Sequence, residues 1–265
     1  MQDHVLLVTG GASGIGLAVV EAALAEGWRI AILDLPGPGL EAARNRFDAA
    51  AVRCTGIDVS DEAAVVAEIA AIEGEFGPLR GAVNSAGIGR DTAVLATTAE
   101  QFRRILDINV VGSFVVAREA ARAMRGRDGA IVNISSVSGM KGNEGRAAYG
   151  ASKAAVITMS QVMAVEFATL GVRVNVVAPG PIETPMVREN HTAEAREGWM
   201  QVVPMRRYGT PEEIASATLF LIDGSKSGFI TGQTLSVDGG FTVAGLASGT
   251  SLAVNSEGFD HTRSH

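Results

Sequence analysis

The stretch "HVLLVTGGASGIG", residues 4 to 16, decides the fold. Its first half, Val5 to Val8, is a short apolar run of the kind that forms a strand buried on both faces of a sheet. Its second half, "TGGASGIG" at 9 to 16, leads into an alanine-rich helical pattern that reaches residue 26. Glycine lets the backbone turn sharply and approach a bound group closely, while the free N–H groups and dipole of the helix favour negative charge. Gly10, Gly14 and Gly16 are the key positions, spaced G-x-x-x-G-x-G rather than the commoner G-x-G-x-x-G. A strand, a glycine turn and a helix in this order predict a loop that holds the pyrophosphate of a dinucleotide. The alternative is an ordinary tight turn.

The same alternation continues along the chain. Strand-like runs occur at 4 to 10, 29 to 34, 51 to 58, 79 to 87, 130 to 136, 172 to 180 and 234 to 240, with helical patterns at about 15 to 26, 61 to 75, 99 to 125, 147 to 170 and 211 to 223. Repeated βα units of this kind build a parallel sheet covered by helices on both faces. The expected fold is therefore α/β: a single-domain, doubly wound, seven-stranded Rossmann arrangement over residues 1–243. Thr210, Pro211, Glu212 and Glu213 form a helix start, with a cap, a first-turn proline and acidic residues near the positive end. Residues 181–210 are longer and more polar than an ordinary connection and read as a substrate loop. From Ala244 the chain is Ser/Gly-rich and weakly patterned, so 244–265 reads as a C-terminal tail.

Composition narrows the function. The 265 residues are 47% hydrophobic and 19% charged with a net charge of −7, a globular profile that disfavours nucleic acid and anionic membrane as partners. Apolar runs are broken by charge or glycine, and none looks suited to a bilayer. Cys54 is the one cysteine and no His/Cys cluster has metal-ligand spacing, so the expectations are a cytoplasmic protein and no metal.

Two features speak to chemistry. Asp34 ends the second strand and follows Gly16 at close to the spacing expected of a carboxylate that bonds the adenine ribose. Its charge would repel a 2′-phosphate, and neither Ser13 nor Leu35 is an arginine that would compensate, so NAD is favoured over NADP. In "AAYGASKAA", residues 147 to 155, Tyr149 and Lys153 stand four apart on one helix face. A neighbouring ammonium favours the ionised phenol, so Lys153 is expected to lower the Tyr149 pKa toward a range useful for proton transfer.

These residues, together with "DV" at 58 to 59, "NSAG" at 84 to 87, "NV" at 109 to 110, "ISS" at 134 to 136, "PGPIET" at 179 to 184 and "VDGG" at 237 to 240, resemble the short-chain dehydrogenase/reductases over about residues 4 to 241. The resemblance implies a catalytic group of Asn109, Ser136, Tyr149 and Lys153. Tyr149 would exchange the proton and Ser136 would bond the substrate oxygen. Lys153 would hold the nicotinamide ribose, and Asn109 would bind a water leading to solvent. It also implies cofactor contacts from Ser13 and Ile15 in the loop, Asp34 and Leu35, Asp58 and Val59 at the adenine, Asn84, Ala86 and Gly87, Pro179 and Gly180, and Ile182 and Thr184 at the carboxamide. Asn84 and Asn109 have a competing role as partners of backbone groups, and Asp58 one as a cap.

The family is commonly tetrameric, and small faces such as Ala117, Ala120 and Ala121 would permit close approach of a partner, although packing within the chain would use the same alanines. The expected activity is NAD-dependent interconversion of a secondary alcohol, such as a polyol or hydroxy acid, and its ketone. A 3-oxoacyl-thioester reductase is the enzymatic alternative, and a non-catalytic dinucleotide-binding scaffold is the alternative of another class. Arg188, Arg206 and Arg207 in the substrate loop are candidates for an anionic substrate group, and His191 reads as a polar loop residue.

Overall fold

A computed structural model describes residues 4–245, so the tail from 246 onward lies outside the described residues. Seven strands, β1 (Val5–Thr9), β2 (Arg29–Asp34), β3 (Val52–Gly56), β4 (Leu79–Asn84), β5 (Gly129–Ile134), β6 (Val172–Pro179) and β7 (Thr234–Val237), form one sheet in the order β3-β2-β1-β4-β5-β6-β7. Every pairing is parallel. All five residues of β1 and all six of β5 are buried, as strands covered on both faces must be.

Helices cover both faces of the sheet. On one side Val19 and Val20 of α1 (Gly14–Ala25), Leu40 and Ala43 of α2 (Pro38–Arg46), and Ile214 and Leu219 of α9 (Pro211–Ile222) pack with Leu6, Val8, Ile30 and Ile32. On the other, Val65 and Ile69 of α3 (Glu62–Ala71), Val115 and Val116 of α5 (Ser113–Ala123), and Met163 of α6 (Ala147–Phe167) pack with Leu7, Leu33 and Val174. Ala117, Ala120 and Ala121 are buried in this second core, so those alanines serve packing within the chain rather than the approach of a partner.

Three local structures depart from the sequence pattern. The helix expected over 99–125 is α4 (Ala99–Leu106) and α5 joined by a π-helical turn, Asp107–Gly112. Helix α2 falls where glycine and proline suggest a loop. The substrate loop carries two short helices, α7 (Pro185–Asn190) and α8 (Ala193–Val202). The start of α9 forms as expected: the Thr210 hydroxyl accepts from the Glu213 N–H and the Glu213 carboxylate accepts from the Thr210 N–H at 2.9 Å. With its 3-10 extension α6 runs Ala147–Leu170, long and apolar enough to cross a membrane, contrary to the expectation that no segment is. Its inward face nevertheless buries Ser152, Lys153 and Ser160 within the protein, polar side chains that serve the cleft and the core.

Strand order reverses between β1 and β4, which leaves a crevice at their carboxyl ends. The Thr9 hydroxyl closes its floor by accepting from the N–H groups of Ser85 and Ala86 at 3.2 Å each. Gly10, at φ +66°, passes so close to this turn that a Cβ on it would lie 2.8 Å from the Ala86 nitrogen.

Candidate active site

A cleft of about 330 Å³ opens at this crevice. The glycine turn forms one end. A Cβ on Gly16 would lie 2.1 Å from the Gly10 carbonyl oxygen, so this position lets α1 start flush against the loop. The Ser13 side chain makes no capping hydrogen bond, which leaves the first-turn N–H groups of α1 available to an anion. Asp34 lies beside them, its carboxylate accepting from the N–H of Ala12 at 2.9 Å and of Leu35 at 2.8 Å.

The other end is built by β5 and α6. Ser136 follows the carboxyl end of β5, and its hydroxyl accepts from the Ser138 N–H at 3.1 Å. Tyr149, in the first turn of α6, is partly exposed, but the surroundings of its hydroxyl are buried and push its pKa up; a hydrogen bond with Ser136 and the charge of Arg146 oppose the shift. The ammonium of Lys153 donates to the Ile134 carbonyl at 2.8 Å and sits 5.7 Å from the centre of the Tyr149 ring. Burial lowers the Lys153 pKa from 10.5 to about 8. The expectation that Lys153 would lower the Tyr149 pKa is thus corrected. The ammonium lies over the ring and is bound to a backbone carbonyl, and desolvation of the phenol outweighs the favourable charges nearby.

These two ends fit a dinucleotide. The uncapped helix start suits a pyrophosphate, and the gap at Gly87 would be filled by a Cβ lying 3.1 Å from Asn109 Oδ1 and 3.5 Å from Lys153 Nζ. A family model described as "Enoyl-(Acyl carrier protein) reductase" matches residues 10–242. Galactitol 2-dehydrogenase (L-tagatose-forming) of Cereibacter sphaeroides is 41% identical over 240 residues, covering 89% of this chain and 94% of the relative. The 3-oxoacyl-[acyl-carrier-protein] reductase FabG of Chlamydia muridarum is 37% identical over 244 residues, covering 91% and 98%. The crystal structure of levodione reductase superposes with a TM-score of 0.85 at 34% identity, covering 91% of this chain and 98% of that one.

The chain belongs to the short-chain dehydrogenase/reductase family. As a short-chain dehydrogenase/reductase it is a dinucleotide-binding oxidoreductase of the alcohol and ketone type.

Most residues expected at the site of this short-chain dehydrogenase/reductase line the cleft. The loop supplies Gly10, Ser13, Gly14 and Ile15. Asp34, Leu35, Asp58 and Val59 line one wall, and Ala86 and Gly87 the floor. Ser136, Tyr149, Lys153, Pro179, Gly180, Ile182 and Thr184 complete the lining. Asp58 closes its own turn by accepting from the Ser60 N–H and hydroxyl, bonds that hold its carboxyl below the usual range. Asp61, not Asp58, caps α3.

Three expected residues stand off the cleft. Gly16 lies behind the loop, where its role is close packing. Asn84 points into the sheet, donating to the Asn133 side chain at 2.8 Å and the Ser113 carbonyl at 3.2 Å. Asn109 sits in the π-helical turn, fully buried. Its amide donates to the Ile88 carbonyl and the Ser152 hydroxyl and its oxygen accepts from the Ile88 N–H, so both side-chain donors are committed to the protein rather than to a water.

The substrate end contains groups that the sequence pattern did not single out. Arg90, Asp91 and Arg146 line it, and Arg146 pairs with Asp91 at 2.6 Å with its guanidinium 5.2 Å from the centre of the Tyr149 ring. Arg146 lies three residues before Tyr149, so helical spacing was the available signal. Two of the loop arginines serve the scaffold instead. Arg207 pairs with Glu213 at 2.6 Å and Arg206 donates to the Gln201 carbonyl at 2.8 Å. Arg188 is exposed and does not line the cleft. Among the described residues no cluster of His, Cys, Asp and Glu is suited to a metal.

Proposed function

We propose that the protein is an NAD-dependent dehydrogenase that interconverts a secondary alcohol and its ketone. The observation that carries this reading is the convergence of Ser136, Tyr149 and Lys153 on the same cleft as the uncapped glycine turn. When bound, the nicotinamide ring supplies or accepts the hydride. The loop from Gly10 to Gly16 and the start of α1 hold the pyrophosphate, and Lys153 holds the nicotinamide ribose. In the reducing direction Ser136 donates a hydrogen bond to the carbonyl oxygen and Tyr149 delivers a proton to it as negative charge develops there. Burial keeps that phenol protonated at neutral pH, the form this step requires.

The preference for NAD rests on Asp34. The cations lining the cleft are Arg90, Arg146 and Lys153. Arg146 and Lys153 lie against the Tyr149 ring. The Asp34 carboxylate accepts only from the N–H groups of Ala12 and Leu35, and among the described residues no cation pairs with it that could receive a 2′-phosphate there. The similarity to FabG favours one alternative substrate, a 3-oxoacyl thioester, and rates on such a thioester with NADH and NADPH separate the two readings. Self-association is supported by Phe114, Val162 and Val165, apolar side chains that α5 and α6 leave exposed, and the proposed state is a homotetramer. A lone cysteine fits the reducing cytoplasm, the proposed location.

The test is a panel of secondary alcohols and ketones followed by absorbance of the reduced cofactor. Tyr149→Phe should lower turnover on the best substrate by at least about a hundredfold, with NADH still bound in a fluorescence titration. Undiminished turnover would overturn the assignment.

A further inference from the structure

His191, between α7 and α8, lines the cleft together with Trp199. Its ring is fixed on two sides. Nδ1 shares a hydrogen bond of 2.9 Å with the hydroxyl of Tyr208, a residue only 8% exposed. The indole of Trp199 lies parallel to the imidazole with centroids 6.4 Å apart, and packs in turn on Phe241 at 5.1 Å. A surface histidine is not ordinarily held this way. Among the described residues nothing hydrogen-bonds Nε2, and the residue is only partly buried where it lines the cleft.

We propose that His191 is a specificity residue that hydrogen-bonds a second hydroxyl of the substrate, near the carbon that is oxidised, so that the preferred substrates are diols, polyols and their hydroxyketones. The inference rests on the alcohol and ketone reading of the same cleft. Two physical arguments support it. First, burial and the nearby positive charges of Arg146 and Arg196 lower the imidazole pKa, opposed by Asp91 and Glu183, so the ring is neutral at pH 7 with one donor and one acceptor nitrogen. Tyr208 engages Nδ1 in either tautomer, which leaves Nε2 as either a donor or an acceptor. A hydroxyl satisfies both forms because it donates and accepts, whereas an alkyl group satisfies neither. Second, Arg146 and Asp91, which line the same end of the cleft, already neutralise one another at 2.6 Å, whereas Nε2 of the imidazole has no hydrogen-bond partner among the described residues. Tyr208 is then a positioning residue that orients the ring.

The experiment uses two matched pairs of alcohols, 2-butanol with 2,3-butanediol and 2-pentanol with 2,4-pentanediol, so that two spacings of the second hydroxyl are covered. The readout is the kcat/KM of each diol divided by that of its mono-alcohol, for wild type, His191→Phe and Tyr208→Phe. Wild type should prefer at least one diol. His191→Phe should reduce that ratio by about tenfold or more, the range for an unmet hydrogen bond in a partly dry site. Tyr208→Phe should reduce it by a smaller factor, because the imidazole remains but is free to turn. His191→Asn, which keeps a donor and an acceptor, should recover part of the ratio, which a purely structural role of the ring would not produce. A wild-type enzyme without diol preference, or a ratio unmoved in His191→Phe, would overturn the inference while leaving the alcohol and ketone reading intact. Absence of turnover on every alcohol and ketone by wild type would overturn that reading and the inference with it.

Discussion

Replacing Lys153 with methionine should abolish the chemistry and stabilise the fold. The side chain is buried, and desolvation lowers its pKa from 10.5 to about 8. Since one pH unit is worth about 1.4 kcal/mol, the folded protein bears a penalty of about 3 kcal/mol for holding this ammonium at neutral pH. The sign follows from proton counting. Below about pH 8 the lysine is charged in both states and the penalty is present in full. Between about 8 and 10.5 the folded state loses its proton first, the unfolded state binds more protons, and stability rises with pH. Methionine removes the charge and keeps an unbranched side chain, but it leaves the Ile134 carbonyl without its 2.8 Å partner, which costs about 1 kcal/mol. The expected net gain at pH 7 is about 2 kcal/mol, or about 4 °C in Tm for a chain of this size. The assay is thermal and urea unfolding of wild type and Lys153→Met at a series of pH values. Burial raises the pKa of Cys54 and Tyr208, which therefore titrate in the alkaline range as well, so the quantity to follow is the difference between the two proteins, in which those groups cancel. That difference should fall steadily above about pH 8 and reverse sign by about 10.5, where only the lost hydrogen bond to Ile134 remains. A variant less stable than wild type at pH 7, or a difference that does not change with pH, would refute the account of Lys153 as a charge held in place for function at the expense of stability.

Two further substitutions probe the cofactor end. Asp34→Ser removes the charge that would face a 2′-phosphate and should lower the ratio of kcat/KM for NAD over NADP by about tenfold or more; an unchanged ratio would show that this carboxylate does not discriminate. Because a Cβ on Gly16 would meet the Gly10 carbonyl oxygen at 2.1 Å and the backbone of Gly11 just beyond it, Gly16→Ala should displace the loop, lower the urea midpoint by the equivalent of about 1–3 kcal/mol, and weaken NADH binding measured by fluorescence. Wild-type stability and affinity in this variant would contradict the close packing of α1 on the turn.

The sheet was legible because strands buried on both faces read as continuous apolar runs, and "VLLVT" and "GAIVNI" are interrupted only by Thr9 and Asn133. Helix α2 was not. Of its nine residues only Leu40 and Ala43 are buried, and Gly37, Pro38 and Gly39 look like a turn until tertiary contacts with the first core select the helix. The π-helical turn was hidden for a related reason. It adds a residue to a helix whose apolar pattern continues on either side, and its evidence is the Asn109 side chain locked to Ile88, a contact 21 residues away.

The same distinction explains the Tyr149 pKa. Spacing along a helix identifies which charge stands near the phenol, but not how much water remains around either group. That depends on β5, on the segment around Gly89 and on the substrate loop, all distant in sequence. A Coulombic partner is thus visible in four consecutive steps of the chain, while the larger opposing effect, desolvation, exists only once the cleft has assembled. Because the ammonium is already committed to the Ile134 carbonyl, the protonation state of Tyr149 is governed by burial and by its bond with Ser136. The cleft therefore holds its acid ready to give a proton to a ketone, and the reverse reaction becomes faster as rising pH supplies the phenolate.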